Sequence, residues 1–160
     1  MCNSWITIAI PEFLDLLNLP PSDPLRLHLE CTLLSQFRSL RKLQHSSGLW
    51  HTILTDSSAQ SYPEASASAG FAFGMLKAAR KRYLPIAAGG GGDEFTATAV
   101  HAIQALLDNI DPNTGELGNV SFGTPVFATK EEYFKVRITA TPYGQSMAML
   151  ALVEFLRVFL

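Results

Sequence analysis

The chain has 160 residues, a length that suits one domain with a single hydrophobic core. Charged residues make up 16% of it, against about 25% in an average soluble domain, and apolar residues make up 48%. A formal net charge of -2 excludes the basic surface that nucleic acid requires, two cysteines exclude a disulfide framework, and no apolar run is long enough to span a bilayer.

The first two predicted helices are separated by a pair of prolines. Apolar residues recur at helical spacing from Trp5 to Leu17, and Pro11 is expected to kink this helix or delay its start. Ser22-Asp23 supplies a capping side chain for a second, amphipathic helix from Pro24 to Leu43. No basic segment with an apolar stretch and a cleavage site opens the chain, so the compartment stays open and the cytoplasm is favoured.

A short strand and a third helix follow. Residues 49–54 are rich in aromatic and β-branched side chains, which predicts a short strand within a loop. The third helix is predicted from Pro63 to Arg82, and small residues such as Gly70 and Gly74 leave one of its sides nearly without side chains. Close packing of a neighbouring backbone is the preferred interpretation of that side, and approach of a ligand is the alternative. Arg80-Lys81-Arg82 is expected to close the helix at the negative end of its dipole.

The last part of the chain is predicted to hold two more helices. The glycine-rich residues 85–92 predict a flexible connector, and they lack the Lys-Ser/Thr of a phosphate-binding loop. Asp93 is expected to cap a fourth helix from Glu94 to Ile110, and Thr141-Pro142 to open a fifth that runs to the C-terminus. Short β segments are expected at residues 120–127 and 133–138.

The order helix, loop, helix occurs twice and predicts repeated helical hairpins. The two related loops contain Ser47-Gly48-Leu49-Trp50 and Thr114-Gly115-Glu116-Leu117. Such hairpins bury their apolar faces on one another, which favours an all-α toroid or solenoid.

Polar and aromatic side chains at helix starts and in loops are the candidates for a binding site. Trp5 and Trp50 have rings suited to stacking on a sugar, although core packing is the more common role of a tryptophan. Glu64 is either a general acid or a carboxylate favoured by the dipole of the third helix, and the dipole is preferred. Neither a metal-ligand cluster nor a nucleophile elbow is present, so we expect no metal, no cofactor and no serine-hydrolase chemistry.

Several ordered motifs carry a family resemblance. They are Gln44-x-x-Ser47-Gly48-Leu49-Trp50-His51, Glu64-Ala65-Ser66-Ala67-Ser68-Ala69, Ser121-Phe122-Gly123-Thr124-Pro125 and Pro142-Tyr143-Gly144-Gln145. With them the whole chain resembles glycoside hydrolase family 105, which contains the unsaturated rhamnogalacturonyl hydrolases. The resemblance implies an incomplete (α/α)6 barrel with short β segments in its loops. It also implies a reaction in which an aspartate protonates the C4=C5 enol ether of a terminal unsaturated uronic acid, water adds at C5, and the sugar is released.

The resemblance also assigns site residues. Asn3-Ser4-Trp5 resembles the end of the family motif Trp-x-Arg-Gly-Asn-x-Trp, so Trp5 and Asn3 are expected to bind substrate. Met1 and Cys2 stand where the family has arginine and glycine, and a carboxylate ligand thereby loses a bidentate partner. The family's two central aspartates lie upstream of this motif and no Asp here matches them, so no catalytic residue is assigned. The remaining candidates for pocket wall or scaffold are Trp50, His51, Glu64 and Tyr143.

Two functional hypotheses follow. In the first, the chain is a hydrolase that releases unsaturated galacturonic acid from pectin-derived rhamnogalacturonan oligosaccharides, or a related hydrolase of another unsaturated uronide. In the second, it is an inactive fragment that binds only sugar or a partner helical chain. Because only about half of the barrel's helices are expected, apolar helix faces should be open to water and the chain should self-associate.

Overall fold

The computed structural model describes residues 2–84 and 92–160 of the chain. In these ranges the helices are α1 (Cys2–Leu17), α2 (Pro24–Leu43), α3 (Ala65–Lys81), α4 (Gly92–Asp108), α5 (Lys130–Phe134) and α6 (Pro142–Phe159). Two short strands, β1 (Trp50–His51) and β2 (Pro63–Glu64), form an antiparallel pair in which Trp50 lies opposite Glu64. The five helices predicted from apolar spacing are confirmed, and no described helix has the length and apolarity needed to cross a membrane.

The five long helices form two layers. In one layer α3 lies between α1 and α6, and in the other α2 packs on α1 while α4 packs on α3 and α6. The chain thus alternates between the layers, as expected for successive helical hairpins. The predicted pair of related loops joins helices of different layers, and in each loop the glycine has a positive φ, 91° at Gly48 and 73° at Gly115.

The small residues of α3 allow α1 to approach its backbone. A Cβ atom at Gly74 would lie 2.4 Å from the Thr7 carbonyl oxygen, and one at Gly70 would lie 3.0 Å from the Ser4 Cβ. Residues Ala65 to Ala78 of α3 are all buried. The preferred interpretation of the small-residue side, close packing of a neighbouring backbone, is confirmed.

We expect Gly74→Ala to lower the free energy of unfolding by about 2 kcal/mol, because the new methyl group overlaps the backbone of α1. The loss should appear even though alanine is the better helix former by about 1 kcal/mol. Gly123→Ala is the matched control, since a Cβ atom there meets nothing within 4 Å. Urea unfolding of the three proteins measures the effect, and equal stability of all three would contradict the close contact between α1 and α3.

Charged side chains join the C-terminal part of α3 to both of its neighbours. Lys77 pairs with Glu12 of α1 at 2.6 Å, and Lys81 pairs with Asp15 of α1 at 2.7 Å. The hydrogen bond from Lys81 holds the pKa of Asp15 below its usual value. On the other side, Arg80 pairs with Glu154 of α6 at 2.5 Å. The prediction that cations close this helix is confirmed.

The N-terminal half of the chain departs from the predicted boundaries at two places. α1 begins at Cys2 and contains Pro11, so a delayed start is wrong. Proline removes one hydrogen bond from a helix, and the packing of the preceding turns on α3 holds α1 together. The predicted strand at residues 49–54 is shorter, and its partner β2 takes Pro63 and Glu64 out of the predicted third helix.

The C-terminal half departs from the predicted boundaries at the start of the fourth helix and at both predicted β segments. Asp93 is not a cap but a residue of the first turn, because α4 begins at Gly92. Residues 133 and 134, predicted in a β segment, lie in α5, where Glu132 accepts a hydrogen bond from the Thr129 backbone in a Thr-x-x-Glu sequence. The β prediction holds at one bridge, between Ser121 and Ile138. Residues 85–91 of the predicted connector lie outside the described residues.

Candidate functional site

A cavity of about 510 Å³ lies where the N-terminus of α1 meets the loop after β1 and the start of α3. Its wall contains three of the predicted site residues, Asn3, His51 and Glu64. The other lining residues are Leu43, Thr52, Ile53, Leu54, Thr55, Ala67, Phe71, Ser121, Thr124 and Tyr133. Hydroxyl groups beside an apolar floor are the surroundings that a sugar ring requires, since its hydroxyls need partners and its C–H faces need apolar contact.

Glu64 is buried and caps α3. Its Oε1 accepts hydrogen bonds from the Ser66 hydroxyl at 2.7 Å and the Ser66 backbone N–H at 3.3 Å, and its Oε2 accepts one from the Ala67 N–H at 2.6 Å. The Ser121 N–H donates to Oε1 from a distant part of the chain, at 3.1 Å. The carboxylate therefore satisfies the free N–H groups of the helix start and ties a second segment to it.

Tyr143 holds the same segment from its other side. Its hydroxyl donates a hydrogen bond to the backbone carbonyl of Ser121, which is fully buried. Burial raises the pKa of the Tyr143 hydroxyl above its ordinary value, and it does the same for Tyr62. Glu64 thus binds the backbone N–H of Ser121, and Tyr143 binds its carbonyl. Together they position the following segment, which includes Thr124, at the cavity.

Glutamine side chains fix both of the related loops. Gln44 Nε2 donates to the Gly48 carbonyl at 2.8 Å and to the Thr98 carbonyl at 2.9 Å. Gln145 Nε2 donates to the Gly115 carbonyl, and its Oε1 accepts from the Leu117 N–H, both at 3.0 Å. The glutamines of the first and last motifs therefore hold the two related loops in place.

The two tryptophans have different environments. Trp50 has no exposed surface, its Nε1 donates to the Leu40 carbonyl at 2.8 Å, and its ring meets the edge of Phe71. Trp50 does not line the cavity, but its ring contacts Phe71, which does. Trp5 is 49% exposed on α1 and lies outside the cavity wall, whereas Asn3, two residues before it, is part of the wall.

His51 lies in the wall with its ring partly buried. Its Nδ1 bonds to the Ser61 carbonyl, and its ring edge meets His45 with 4.9 Å between the centroids. Because a carbonyl only accepts, Nδ1 carries the proton. Across residues 2–84 and 92–160, no group of three His, Cys, Asp or Glu side chains is placed to hold a metal ion.

Five polar wall residues were not among the predicted site residues: Thr52, Thr55, Ser121, Thr124 and Tyr133. Thr52 was part of the predicted strand and Tyr133 of a predicted β segment, and neither pattern indicates which side chains face a cavity. Ser121 and Thr124 belong to the Ser-Phe-Gly-Thr-Pro motif, which was the one available signal.

Comparison with known proteins identifies the family. The profile of Glycosyl Hydrolase Family 88 matches residues 2–159. YesR of Bacillus subtilis strain 168, named an unsaturated rhamnogalacturonyl hydrolase, is 31% identical over 158 residues, which are 97% of this chain and 40% of YesR. The chain therefore spans about two fifths of the length of this curated relative.

Solved structures agree with the helical hairpins. A possible member of the GH105 family from Salmonella enterica serovar Paratyphi A superposes with a TM-score of 0.89 and 44% identity, over 98% of this chain and 39% of that one. The unsaturated glucuronyl hydrolase of Bacillus sp. GL1 superposes with a TM-score of 0.71 at 18% identity, over 97% of this chain and 38% of that one, and shares the fold. The predicted (α/α)6 fold and the resemblance to family 105 are confirmed. Since the family profile covers nearly every residue, the chain belongs to glycosyl hydrolase family 88.

Proposed function

We propose that this chain forms the sugar-binding part of a glycoside hydrolase that acts on oligosaccharides ending in an unsaturated uronic acid. The whole enzyme would release unsaturated galacturonic acid from rhamnogalacturonan oligosaccharides by hydration of the C4=C5 enol ether. The observation that carries this proposal is the 31% identity to a rhamnogalacturonyl hydrolase along 97% of the chain. The mixed polar and apolar wall of the cavity supports it.

The chain's own residues account for binding better than for proton transfer. Hydration of the enol ether needs an acid that delivers a proton to C4. In the described part of the chain, Glu64 alone brings a carboxyl group to the cavity wall, and its oxygens are occupied by donors from Ser66, Ala67 and Ser121. Asp56 is paired with Lys130 at 3.4 Å and does not line the cavity. The family resemblance implies an aspartate outside this chain as the acid, and the occupied oxygens of Glu64 support that assignment.

Loss of the enol-ether absorbance of a lyase-generated unsaturated rhamnogalacturonan disaccharide tests the proposal. We expect no decay with this chain alone. Decay should return when the chain is joined to the part of the 44%-identical Salmonella protein that it does not match, in the order of that protein. The unmatched part by itself is the control and should be inactive. Decay with the isolated chain would overturn the assignment of the acid, and an inactive fusion with sound folding would overturn the proposed function.

The aglycone specificity belongs to the same test. The C4=C5 double bond removes the C4 centre at which galacturonic and glucuronic acid differ, so the unsaturated unit is the same in both and the aglycone must be varied. Unsaturated disaccharides with rhamnose or with an N-acetylhexosamine as the aglycone distinguish a rhamnogalacturonyl hydrolase from a related hydrolase of another uronide. Faster decay of the rhamnose compound by the fusion is the expected result.

A second function, without catalysis, is favoured by the exposed helix faces. Apolar side chains on α1 and α6 are about half exposed or more, among them Phe13 at 54% and Met149 at 59%. We propose that these faces bind a partner helical chain or a second copy of this one. We expect a charge-poor protein with such faces to associate through them.

A further inference from the structure

The loop of residues 122–137 brings an aromatic side chain, Tyr133, to the cavity wall. The loop leaves and returns at one place, because Ser121 and Ile138 form an antiparallel bridge immediately outside its ends. Its helix, α5, has no buried residue, so the loop makes little contact with the core. Loops that are closed at their base and packed on themselves commonly carry binding residues.

The base of this loop is fixed more firmly than its tip. At the base, Glu64 binds the Ser121 N–H at 3.1 Å and Tyr143 binds its carbonyl. At the tip, Lys130 Nζ lies 3.4 Å from Asp56 Oδ2, in the loop between β1 and β2. The Lys130 side chain is 62% exposed, and an exposed ion pair contributes little stability, so the buried base sets the position of the loop.

Two contacts with Phe127 orient the Tyr133 ring. The Tyr133 hydroxyl oxygen accepts a hydrogen bond from the Phe127 N–H at 3.2 Å. The two rings meet edge to face, with 4.9 Å between their centroids and 88° between their planes. A side chain that is already oriented loses less conformational freedom when a ligand binds. The hydroxyl also keeps its own proton, which can be donated to a ligand oxygen.

Tyr133 is the more accessible of the two phenyl-type rings in the described part of the wall. The other, Phe71, is 1% exposed and packs on Trp50. Tyr133 is only partly buried. Trp5, which was predicted to stack on a sugar, lies outside the wall. In this cavity an aromatic face is therefore offered to a ligand by the 122–137 loop and not by α1.

We propose that Tyr133 is a substrate-binding residue whose ring contacts the C–H face of a sugar in this cavity. That the ligand is a sugar rests on the proposed function. An aromatic ring offers apolar area to the C–H groups of a sugar, while neighbouring hydroxyl groups bind its polar groups. Thr124 of the same loop and Thr52 of the loop between β1 and β2 bring hydroxyl-bearing side chains to the same wall. Leu54 and Phe71 add apolar surface to it.

Binding of the lyase-generated unsaturated rhamnogalacturonan disaccharide to the isolated chain tests this assignment. Saturation-transfer NMR detects binding through magnetisation that passes from protein protons to the sugar, and a titration gives the Kd. Tyr133→Ala should weaken binding by about tenfold, because the sugar loses its aromatic contact. Tyr133→Phe keeps the ring and should bind within about threefold of the wild-type chain. Phe122→Ala is the matched control and should leave the Kd unchanged, since this ring belongs to the same loop, is 66% exposed and lies outside the wall.

Phe127→Ala separates contact with the sugar from bracing of the loop. It removes the ring against which Tyr133 packs but keeps the N–H that donates to Tyr133, so it should weaken binding less than Tyr133→Ala does. Equal losses for these two variants would show that Tyr133 acts only through the shape of the loop. Equal affinities of Tyr133→Ala and Phe122→Ala, or a wild-type chain that does not bind the disaccharide, would also overturn the assignment.

Hydrolysis by the fusion protein tests the proposed function separately. Tyr133→Ala in the active fusion should raise the KM about tenfold and leave kcat within about threefold, because it removes binding that the substrate and the transition state share. An active fusion whose KM does not change on this substitution overturns the assignment of Tyr133 alone. An inactive fusion, with a chain that binds the disaccharide through Tyr133, overturns the proposed hydrolysis alone.

Discussion

Trp50→Ala should lower the free energy of unfolding by about 4 kcal/mol. The side chain has no exposed surface and fills the space between Leu40 and Phe71, so truncation leaves a cavity that the surrounding helices close only in part. It also leaves the Leu40 carbonyl, near the end of α2, without the indole donor. Urea unfolding monitored by circular dichroism measures the loss.

Trp5→Ala is the matched control for that loss. Trp5 is 49% exposed, so the same substitution should cost less than about 1 kcal/mol when measured at a concentration at which the chain is monomeric. The family resemblance implies that Trp5 stacks on sugar. In that case Trp5→Ala should also weaken binding of the unsaturated disaccharide by the fusion protein, even though its effect on stability is small. Equal stability losses for the two alanine variants would show that the buried and exposed tryptophans have been assigned the wrong roles.

The helices were predictable because each carries its own local signals. Asp23 followed by Pro24 caps and opens α2, and its side chain accepts from the Leu25 and Arg26 N–H groups as such a cap should. Thr141 does the same for α6 through the Gly144 N–H. α5 was missed although Thr129 and Glu132 have the spacing of a capping box, because the aromatic and β-branched residues that follow favoured a β interpretation.

The cavity wall was only partly predictable, because loop side chains have no period that reveals their direction. His51 and Trp50 are adjacent, yet one lines the cavity and the other is in the core, since successive residues of a strand point to opposite sides. The sequence does not show which of the two sides is the core. That choice depends on Phe71 and Leu40, which come from other helices.

Glu64→Ala should cost about 3 kcal/mol, because the backbone N–H groups of Ser66, Ala67 and Ser121 lose a charged acceptor in a buried place. Glu132→Ala is the matched control. The Glu132 carboxylate also accepts from two backbone N–H groups at a helix start, but in an exposed position where water replaces it, so a loss of about 1 kcal/mol is expected. Similar losses for the two variants would contradict the role of Glu64 as a buried anchor.

Glu64→Gln in the active fusion separates anchoring from catalysis. Glutamine keeps the length of the side chain and one carbonyl oxygen, but it delivers no proton. If Glu64 anchors the cavity wall, the variant should be less stable while its kcat on the unsaturated disaccharide stays within about tenfold of the parent at a temperature where both are folded, since an acid supplies about 100-fold or more. A kcat at the background rate in a folded variant would make Glu64 the proton donor. In that case the preference for a helix-capping role, drawn from its place at the start of α3, would be wrong.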